Sequence, residues 1–251
     1  MGNSVSVVDD DDVAVILAGG LGRRLHPLTL VMPKPMLPVA DKPLLEHTIE
    51  WLRLNGITHI IICISYLGRV IENYFGDGSM LDVKIEYARA SRPLGTAGQL
   101  KSAEHLLSNH DRFICLYGDS LYEFNLHAMV DAHNARLDED HSTIATMAVM
   151  HYTTRLDYGF MDVDDANRVV AWREKPEFKG LINIGCYVME RDVLEFIPRD
   201  EVSSMNKVFM DAMARGRSIY AYKIDGRFWD IGNEKAYMDV YREYVKRLGD
   251  I

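Results

Sequence analysis

The stretch LAGGLGRRLHPLTLVMPKPMLPVADKP, Leu17 to Pro43, continues an apolar run that opens at Val13. Gly19, Gly20 and Gly22 permit positive φ and close backbone approach, so successive N–H groups can cradle phosphate oxygens. Two familiar phosphate loops are excluded. Read as GxGxxG from Gly20, the third glycine position holds Leu25, and a Walker A reading lacks GK[ST] at its spacing. Arg23, Arg24 and Lys34 stand instead among Pro27, Pro33 and Pro35. Three cations on a proline-stiffened loop directly after a strand suit an anion site better than a solvated surface.

Working outward, short apolar runs alternate with amphipathic segments. Val13 to Leu17, Ile60 to Ile64, Val83 to Tyr87 and Phe113 to Tyr117 are strand-length and mostly β-branched or aromatic. Between them, Asp41-Lys42-Pro43 reads as the cap and first turn of a helix carrying Leu45, Ile49 and Leu52, which Asn55-Gly56 ends. A second helix is expected to carry Ala97, Leu100, Ala103 and Leu107 on one stripe. Strands alternating with helices predict an α/β fold, doubly wound around a mostly parallel central sheet, with ligands beyond the C-terminal strand ends. After Val149 the pattern becomes mixed. GFMDVDDANRVVAWREK, Gly159 to Lys175, reads as a hairpin, Ile182 to Met189 as a strand, and Asn233 to about Leu248 as a long helix. No linker composition separates the halves, so residues 13–251 are expected to form one domain behind an acidic lead-in at residues 1–12. No internal repeat appears, and the residues after Asp230 lack the hexapeptide pattern of a β-helix.

The charge balance is 28 Lys+Arg against 37 Asp+Glu, a net −9, which disfavours a general nucleic-acid-binding role. No apolar run approaches the roughly 18 residues a membrane span requires. Met1-Gly2 with Ser6 matches the fixed positions of a myristoylation pattern, but Asp9 to Asp12 would repel anionic lipid where a polybasic patch should sit, so no membrane partner is expected. Cys63, Cys115 and Cys186 lie inside apolar strand-like segments without any CxxC, which reads as buried thiols in a reducing, cytoplasmic setting. The nine histidines show no HExxH or paired-ligand spacing and read as structural or surface groups.

GGxGxRLxPLT followed by PKPMLPVxxKP resembles the sugar-1-phosphate nucleotidyltransferase family, the enzymes that make NDP-sugars. The likeness continues in order through the chain. PLGTAGQL (Pro93 to Leu100) is similar to the family's nucleobase-side loop and YGDS (Tyr117 to Ser120) to its metal-binding Asp. REKP (Arg173 to Pro176) resembles its sugar and sugar-phosphate motif, NIGCYV (Asn183 to Val188) its sugar pocket, and FWDIGNEKAY (Phe228 to Tyr237) its second metal Asp.

The resemblance implies a Rossmann-like nucleotidyltransferase fold with a mixed sugar-binding half and no β-helix. It also implies the reaction: a sugar-1-phosphate oxygen attacks the α-phosphorus of an NTP and pyrophosphate leaves. Such chemistry moves negative charge and creates little else, so catalysis means aligning two anions and neutralising them. On this basis Arg24 meets the leaving phosphates, Lys34 the reacting phosphoryl oxygens and Lys175 the incoming sugar phosphate. Asp119 and Asp230 are expected to hold Mg²⁺, which often takes only one or two protein carboxylates besides substrate oxygens. Gly20, Gly22 and Arg23 complete the nucleotide loop, Leu17, Gly19, Gly95 and Thr96 edge the base, and Gly159, Glu174 and Asn183 face the sugar hydroxyls.

Departures from the family pattern bear on the base. Arg23 stands where Thr is common, and Ala90 in ARASRPLG stands where thymidylyl- and uridylyl-type members often have Gln. LGTAG and Asn183 resemble the guanylyltransferase branch, so GTP with mannose 1-phosphate is the first expectation and glucose-1-phosphate thymidylyl or uridylyl transfer the alternative. Two other classes stay open. One is a non-catalytic regulatory subunit that binds nucleotide sugars; the other is a glycosyltransferase using the Asp162-Val163-Asp164 sequence as a metal-binding DxD, although Asp164 to Asn167 reads better as a hairpin turn. Tyr237, Tyr241 and Tyr244 make an aromatic stripe on the last helix that suits core packing or a homo-oligomer interface.

Overall fold

Strand β1 (Val13–Leu17) is buried on both faces, and its alternation sorts two cores. Ala14 and Ile16 pack on one side of the sheet, Val13, Val15 and Leu17 on the other. A computed structural model describes residues 12–249. After β1 come the short strands β2 (Pro38–Val39) and β3 (Lys42–Pro43), helix α1 (Leu44–Leu54), β4 (His59–Ile64), α2 (Gly68–Phe75), β5 (Lys84–Arg89), α3 (Gly95–Ser102) and β6 (Arg112–Tyr117). The second half contains β7 (Ser120–Phe124), α4 (Leu126–Glu139), β8 (Thr143–Arg155), β9 (Phe160–Val163), β10 (Val169–Arg173) and β11 (Glu177–Glu190). It ends with α5 (Met205–Ala214), β12 (Ser218–Lys223), β13 (Gly226–Asp230) and α6 (Glu234–Gly249).

Seven strands form the central sheet in the order β12-β8-β11-β6-β1-β4-β5. Only β11 runs against its neighbours β6 and β8; the other pairings are parallel. Helices α1, α2 and α4 bury Leu45, Ile49, Ile71, Phe75 and Met129 against one face. Helices α3 and α5 bury Ala97, Leu100, Val208 and Phe209 against the other. Both faces are thus covered, the doubly wound arrangement expected from the alternating pattern. Each fully buried Ile or Leu in these layers contributes about 1.5–3 kcal/mol.

Several boundaries differ from the sequence reading. Asp41-Lys42-Pro43 does not open α1: Lys42 and Pro43 pair with Val39 and Pro38, and the helix begins at Leu44 without a side-chain cap. The ribbon supplies there the ordering that a capping side chain would have given. The stripe Ala97, Leu100, Ala103 and Leu107 is fully buried, yet α3 stops at Ser102 and a 3-10 turn, Glu104–Leu106, carries its end. Strand β5 is shifted toward Arg89, and β11 reaches well before Ile182 because the distal half of β8 extends to pair with it. The hairpin β9–β10 forms as read, with Asp164 accepting from the Ala166 and Arg168 N–H groups across the turn.

Asp12, read as the end of a solvated acidic lead-in, is buried at 7% exposure and ion-paired to Arg112 at 2.8 Å. A carboxylate this buried requires such a partner. Gly2, Ser6 and Asp9 to Asp11 lie outside the described residues. His133 is wholly buried between Thr146 and Glu190, a structural histidine. Cys63, Cys115 and Cys186 are free and buried on β4, β6 and β11, and burial pushes the Cys63 and Cys186 thiols up to about 12. Among the described residues, no helix is long and apolar enough to cross a membrane.

Candidate active site

A cleft of about 780 Å³ opens over the C-terminal ends of β1 and β6, as the crevice rule for such sheets requires. Its first wall is the loop that leaves β1. Gly22 sits at φ 61, where a Cβ would come within 2.9 Å of Thr29 Cγ2, and its carbonyl accepts from Thr29 Oγ1 at 2.8 Å. This tight turn folds the loop back so that Arg23, Arg24 and Lys34 all line the cleft. Gly20 also faces it, with open space where a side chain would stand.

Lys34 is the focus of the charge. It is 6% exposed, and its Nζ lies 2.6 Å from Asp119 Oδ2 and 4.0 Å from Asp230 Oδ1. The two carboxylates arrive from distant parts of the chain. Asp119 stands in the link between β6 and β7, and β13 pairs antiparallel with β7 so that Asp230 lies opposite Ser120. Phe228 packs on Tyr122, and Trp229 donates to Glu243 at 2.9 Å, which fixes the end of β13. The space a Cβ on Gly232 would fill is 2.8 Å from Asp230 Oδ2 and 3.4 Å from Arg24 Nη1, so Arg24 and Asp230 border the same gap. A buried ammonium is tolerable here because carboxylates answer it.

The described residues contain no group of three or more His, Cys, Asp or Glu side chains placed to hold a metal ion. Asp119 and Asp230 nevertheless fit a hard divalent cation: both present carboxylate oxygens to one point of the cleft wall, with 37% and 55% of their side chains open to incoming oxygens. Mg²⁺ commonly completes such a pair with substrate phosphate and water.

The cleft is also lined by Leu17, Ala18, Thr96, Gln99 and Tyr117. The Gly19 N–H donates to Gln99 Oε1 at 2.8 Å. Thr96 Oγ1 accepts from the Met205 N–H at 2.9 Å, tying α3 to the start of α5. Gly95 lies behind the wall, packed so closely on the Ser203 carbonyl that a Cβ would come within 2.3 Å. Burial raises the Tyr117 hydroxyl above its ordinary value.

The floor comes from β8 and β11 through Met150, Tyr152, Ile182, Asn183, Ile184 and Gly185. The β11 ladder is irregular between Asn183 and Tyr187. Asn183 holds this bulge, accepting from the Gly185 N–H at 2.9 Å and donating to the Tyr187 hydroxyl at 2.8 Å. Gly159, Glu174 and Lys175 cluster elsewhere. Trp172 Nε1 donates to Glu174 Oε2 at 3.3 Å over Gly159, and Gly159, Glu174 and Lys175 all flank the β9–β10 hairpin beyond the cleft lining. Asp162 and Asp164 pair with Arg173 and Arg168 on that exposed hairpin, an arrangement that leaves no DxD pair facing the cleft. The structure therefore gathers Leu17, Gly20, Gly22, Arg23, Arg24, Lys34, Thr96, Asp119, Asn183 and Asp230 around one cleft. Gln99, Tyr117 and Tyr152 join the lining without being site candidates in the sequence. Gln99 lay inside the quoted PLGTAGQL stretch, but beside the apolar stripe it carried no signal of its own.

Comparison with known proteins bears on the family and the fold. A family model described as "Nucleotidyl transferase" matches residues 13–247. The chain is 38% identical over 240 residues to a mannose-1-phosphate guanylyltransferase of Mycobacterium tuberculosis, covering 94% of this chain and 65% of that protein. It is 31% identical over 251 residues to a UTP–glucose-1-phosphate uridylyltransferase of Synechocystis, covering 93% and 63%. The chain thus spans a little under two thirds of the length of these relatives. Among solved structures, HddC from Yersinia pseudotuberculosis complexed with GMP-PN superposes with a TM-score of 0.70 at 26% identity, over 93% of this chain and 99% of that one. A putative glucose-1-phosphate thymidylyltransferase from Bacillus anthracis reaches the same TM-score, 0.70, at 22% identity, over 92% and 94%, and speaks for the fold alone.

Proposed function

This chain belongs to the nucleotidyl transferase family, and from that premise we propose that it transfers a nucleoside monophosphate from an NTP to a sugar 1-phosphate, releasing pyrophosphate. The observation that carries the reading is the convergence of Arg24, Lys34, Asp119 and Asp230 at one end of one cleft. Arg24 grips the leaving phosphates with a planar fork of donors suited to bidentate contact. Lys34, pre-aimed by Asp119, meets the oxygens at the reacting phosphorus and so acts mainly on the transition state. Asp119 and Asp230 would hold Mg²⁺, which when bound lowers the repulsion between substrate phosphates. Gly20, Gly22 and Arg23 line the triphosphate path, and Leu17 and Thr96 border the base.

The sugar side is assigned to Asn183 through its bulge, and to Gly159, Glu174 and Lys175. The last three lie where the β9–β10 hairpin joins cleft-lining β8 and β11, so inward closure of that hairpin is the step that brings Lys175 to the sugar phosphate. For substrates, GTP with mannose 1-phosphate is the first choice, supported by the 38% identity to a mannose-1-phosphate guanylyltransferase. Glucose 1-phosphate with UTP or dTTP is the second, favoured by the 31% identical uridylyltransferase. The three buried free thiols support a cytosolic setting.

Incubating the chain with Mg²⁺, each of GTP, UTP, dTTP, ATP and CTP, and mannose or glucose 1-phosphate tests the reading. Pyrophosphate and an NDP-sugar should form together, fastest from GTP and mannose 1-phosphate. A fastest reaction from UTP or dTTP with glucose 1-phosphate would replace the substrates and keep the reaction.

A further inference from the structure

We infer that Gln99 reads the nucleobase, presenting a fixed N–H donor that selects a base carrying an oxygen, not an amino group, at purine C6 or pyrimidine C4. This rests on the nucleotidyltransferase reading and deepens it. Gln99 stands on α3 and lines the cleft beside Leu17, Ala18 and Thr96, yet it is only 7% exposed. Its orientation is settled by chemistry. The Gly19 N–H can only donate, and it lies 2.8 Å from the side-chain oxygen, so Oε1 faces Gly19 and Nε2 faces away from it. The packing is tight: a Cβ on Gly19 would stand 2.9 Å from Oε1 and 3.1 Å from Cδ. Glycine at 19 is therefore what lets the amide seat there.

Among the described residues Nε2 has no acceptor, whereas the other end of the same amide is paired. Unlike the buried and unpaired Ser203 Oγ and Arg217 Nε, Nε2 is not sealed from solvent, so it opens on the cleft, where a ligand can supply the acceptor. Guanine O6 and the O4 of uracil or thymine are acceptors; adenine and cytosine place an amino group at the same position, donor against donor. A site that fixes one half of such a pair rejects the wrong partner because both buried groups are then unpaired. Gln99 thereby separates G from A and U or T from C, and leaves the choice between purine and pyrimidine to the shape of the surrounding wall. The backbone N–H of Gly19 acts on the base through Gln99 and not by direct contact.

ITP and ATP isolate this contact, since they share everything but the C6 oxygen with its N1 proton and the C6 amino group. Binding of each in Mg²⁺ to the full chain is measured by calorimetry, and pyrophosphate release with mannose 1-phosphate is measured alongside. The wild-type chain should favour ITP by about tenfold to a hundredfold. Gln99→Glu keeps an oxygen for the Gly19 N–H but turns an acceptor toward the base, so the ITP:ATP ratio should swing toward ATP by about tenfold or more. Repulsion between the new carboxylate and the triphosphate weakens both ligands alike and leaves the ratio readable. Gln99→Met, which offers neither donor nor acceptor, should flatten the preference. An ITP:ATP ratio unchanged in both variants, or a wild-type chain without the preference, overturns the assignment. If the preference exists and shifts as described but no sugar 1-phosphate yields pyrophosphate, the transferase reading fails and the role of Gln99 stands. Absence of binding by either nucleotide overturns both.

Discussion

Lys34 and Arg24 share a loop and a sign, but their surroundings give them different tasks. Lys34 is buried and held by Asp119 at 2.6 Å, whereas Arg24 is exposed at the cleft mouth beside the Gly232 gap. Lys34→Ala should therefore lower kcat by roughly 10²–10³, the usual loss for one preorganised charge, with little change in NTP affinity. Arg24→Ala should damage kcat and NTP binding together, and steady-state kinetics with direct binding separates the two patterns. Asp119→Asn and Asp230→Asn should each remove most turnover. Because both carboxylates border the same ammonium and would share one ion, the double variant should be far less than multiplicatively worse. Multiplying effects in a double-mutant cycle would place Asp230 outside the reacting centre. Arg24 and Lys34 stood out as cations on a proline-stiffened loop, whereas Asp119 and Asp230 were marked only by motifs that resemble the family's. Asn183 was legible as part of a motif, but its amide is engaged in a bulge that no spacing rule reveals. Gln99 was invisible, because what distinguishes it is a contact with Gly19 across 80 positions of sequence.

Elements position these residues through a few backbone devices. Gly185 sits at φ 73 in the β11 bulge, and a Cβ there would lie 2.4 Å from the Tyr117 ring. Gly185→Ala combines a left-handed conformation with a collision against the half-buried Tyr117 ring, so it should cost more than about 2 kcal/mol, or roughly 4–8 °C in Tm for a chain of this size. Gly20→Ala, which meets nothing within 4 Å, is the control and should move Tm by less than about 2 °C. Thermal unfolding of the two variants checks both. At this scale the sequence was read well where periodicity decides and poorly where tertiary pairing does. β1, β4 and β6 were visible as apolar runs, since a strand buried on both faces has no polar alternation to hide it. The onset of α1 was misplaced because Lys42 and Pro43 belong to a ribbon with Pro38 and Val39. The distal reach of β8 and β11 was missed because there the two strands pair only with each other, beyond the ends of the sheet's other strands, on exposed residues without a core-facing pattern.

For the whole molecule, the proposed reaction puts the nucleotide over the doubly wound sheet and the sugar 1-phosphate toward the long β8 and β11 strands. Gly159, Glu174 and Lys175 stand in the connections that flank the β9–β10 hairpin, outside the cleft lining, which makes closure of that hairpin a prediction of the proposed reaction. A fluorophore pair on the β9–β10 turn and on α2 should report a shorter distance when NTP and sugar 1-phosphate are both bound than with either alone. An unchanged distance would remove Lys175 from the phosphoryl centre. The α/β class and the crevice location followed from element order, whereas the outward course of β8 and β11 depends on pairing over long separations that composition does not encode. The central claim, that this cleft transfers a nucleotidyl group, is tested most directly by pyrophosphate release from GTP and mannose 1-phosphate with Mg²⁺, in the wild-type chain and in Lys34→Ala. Release that needs both substrates, vanishes with chelator, returns with Mg²⁺ and falls by roughly 10²–10³ in the variant is the predicted result; near-normal release from Lys34→Ala would contradict it.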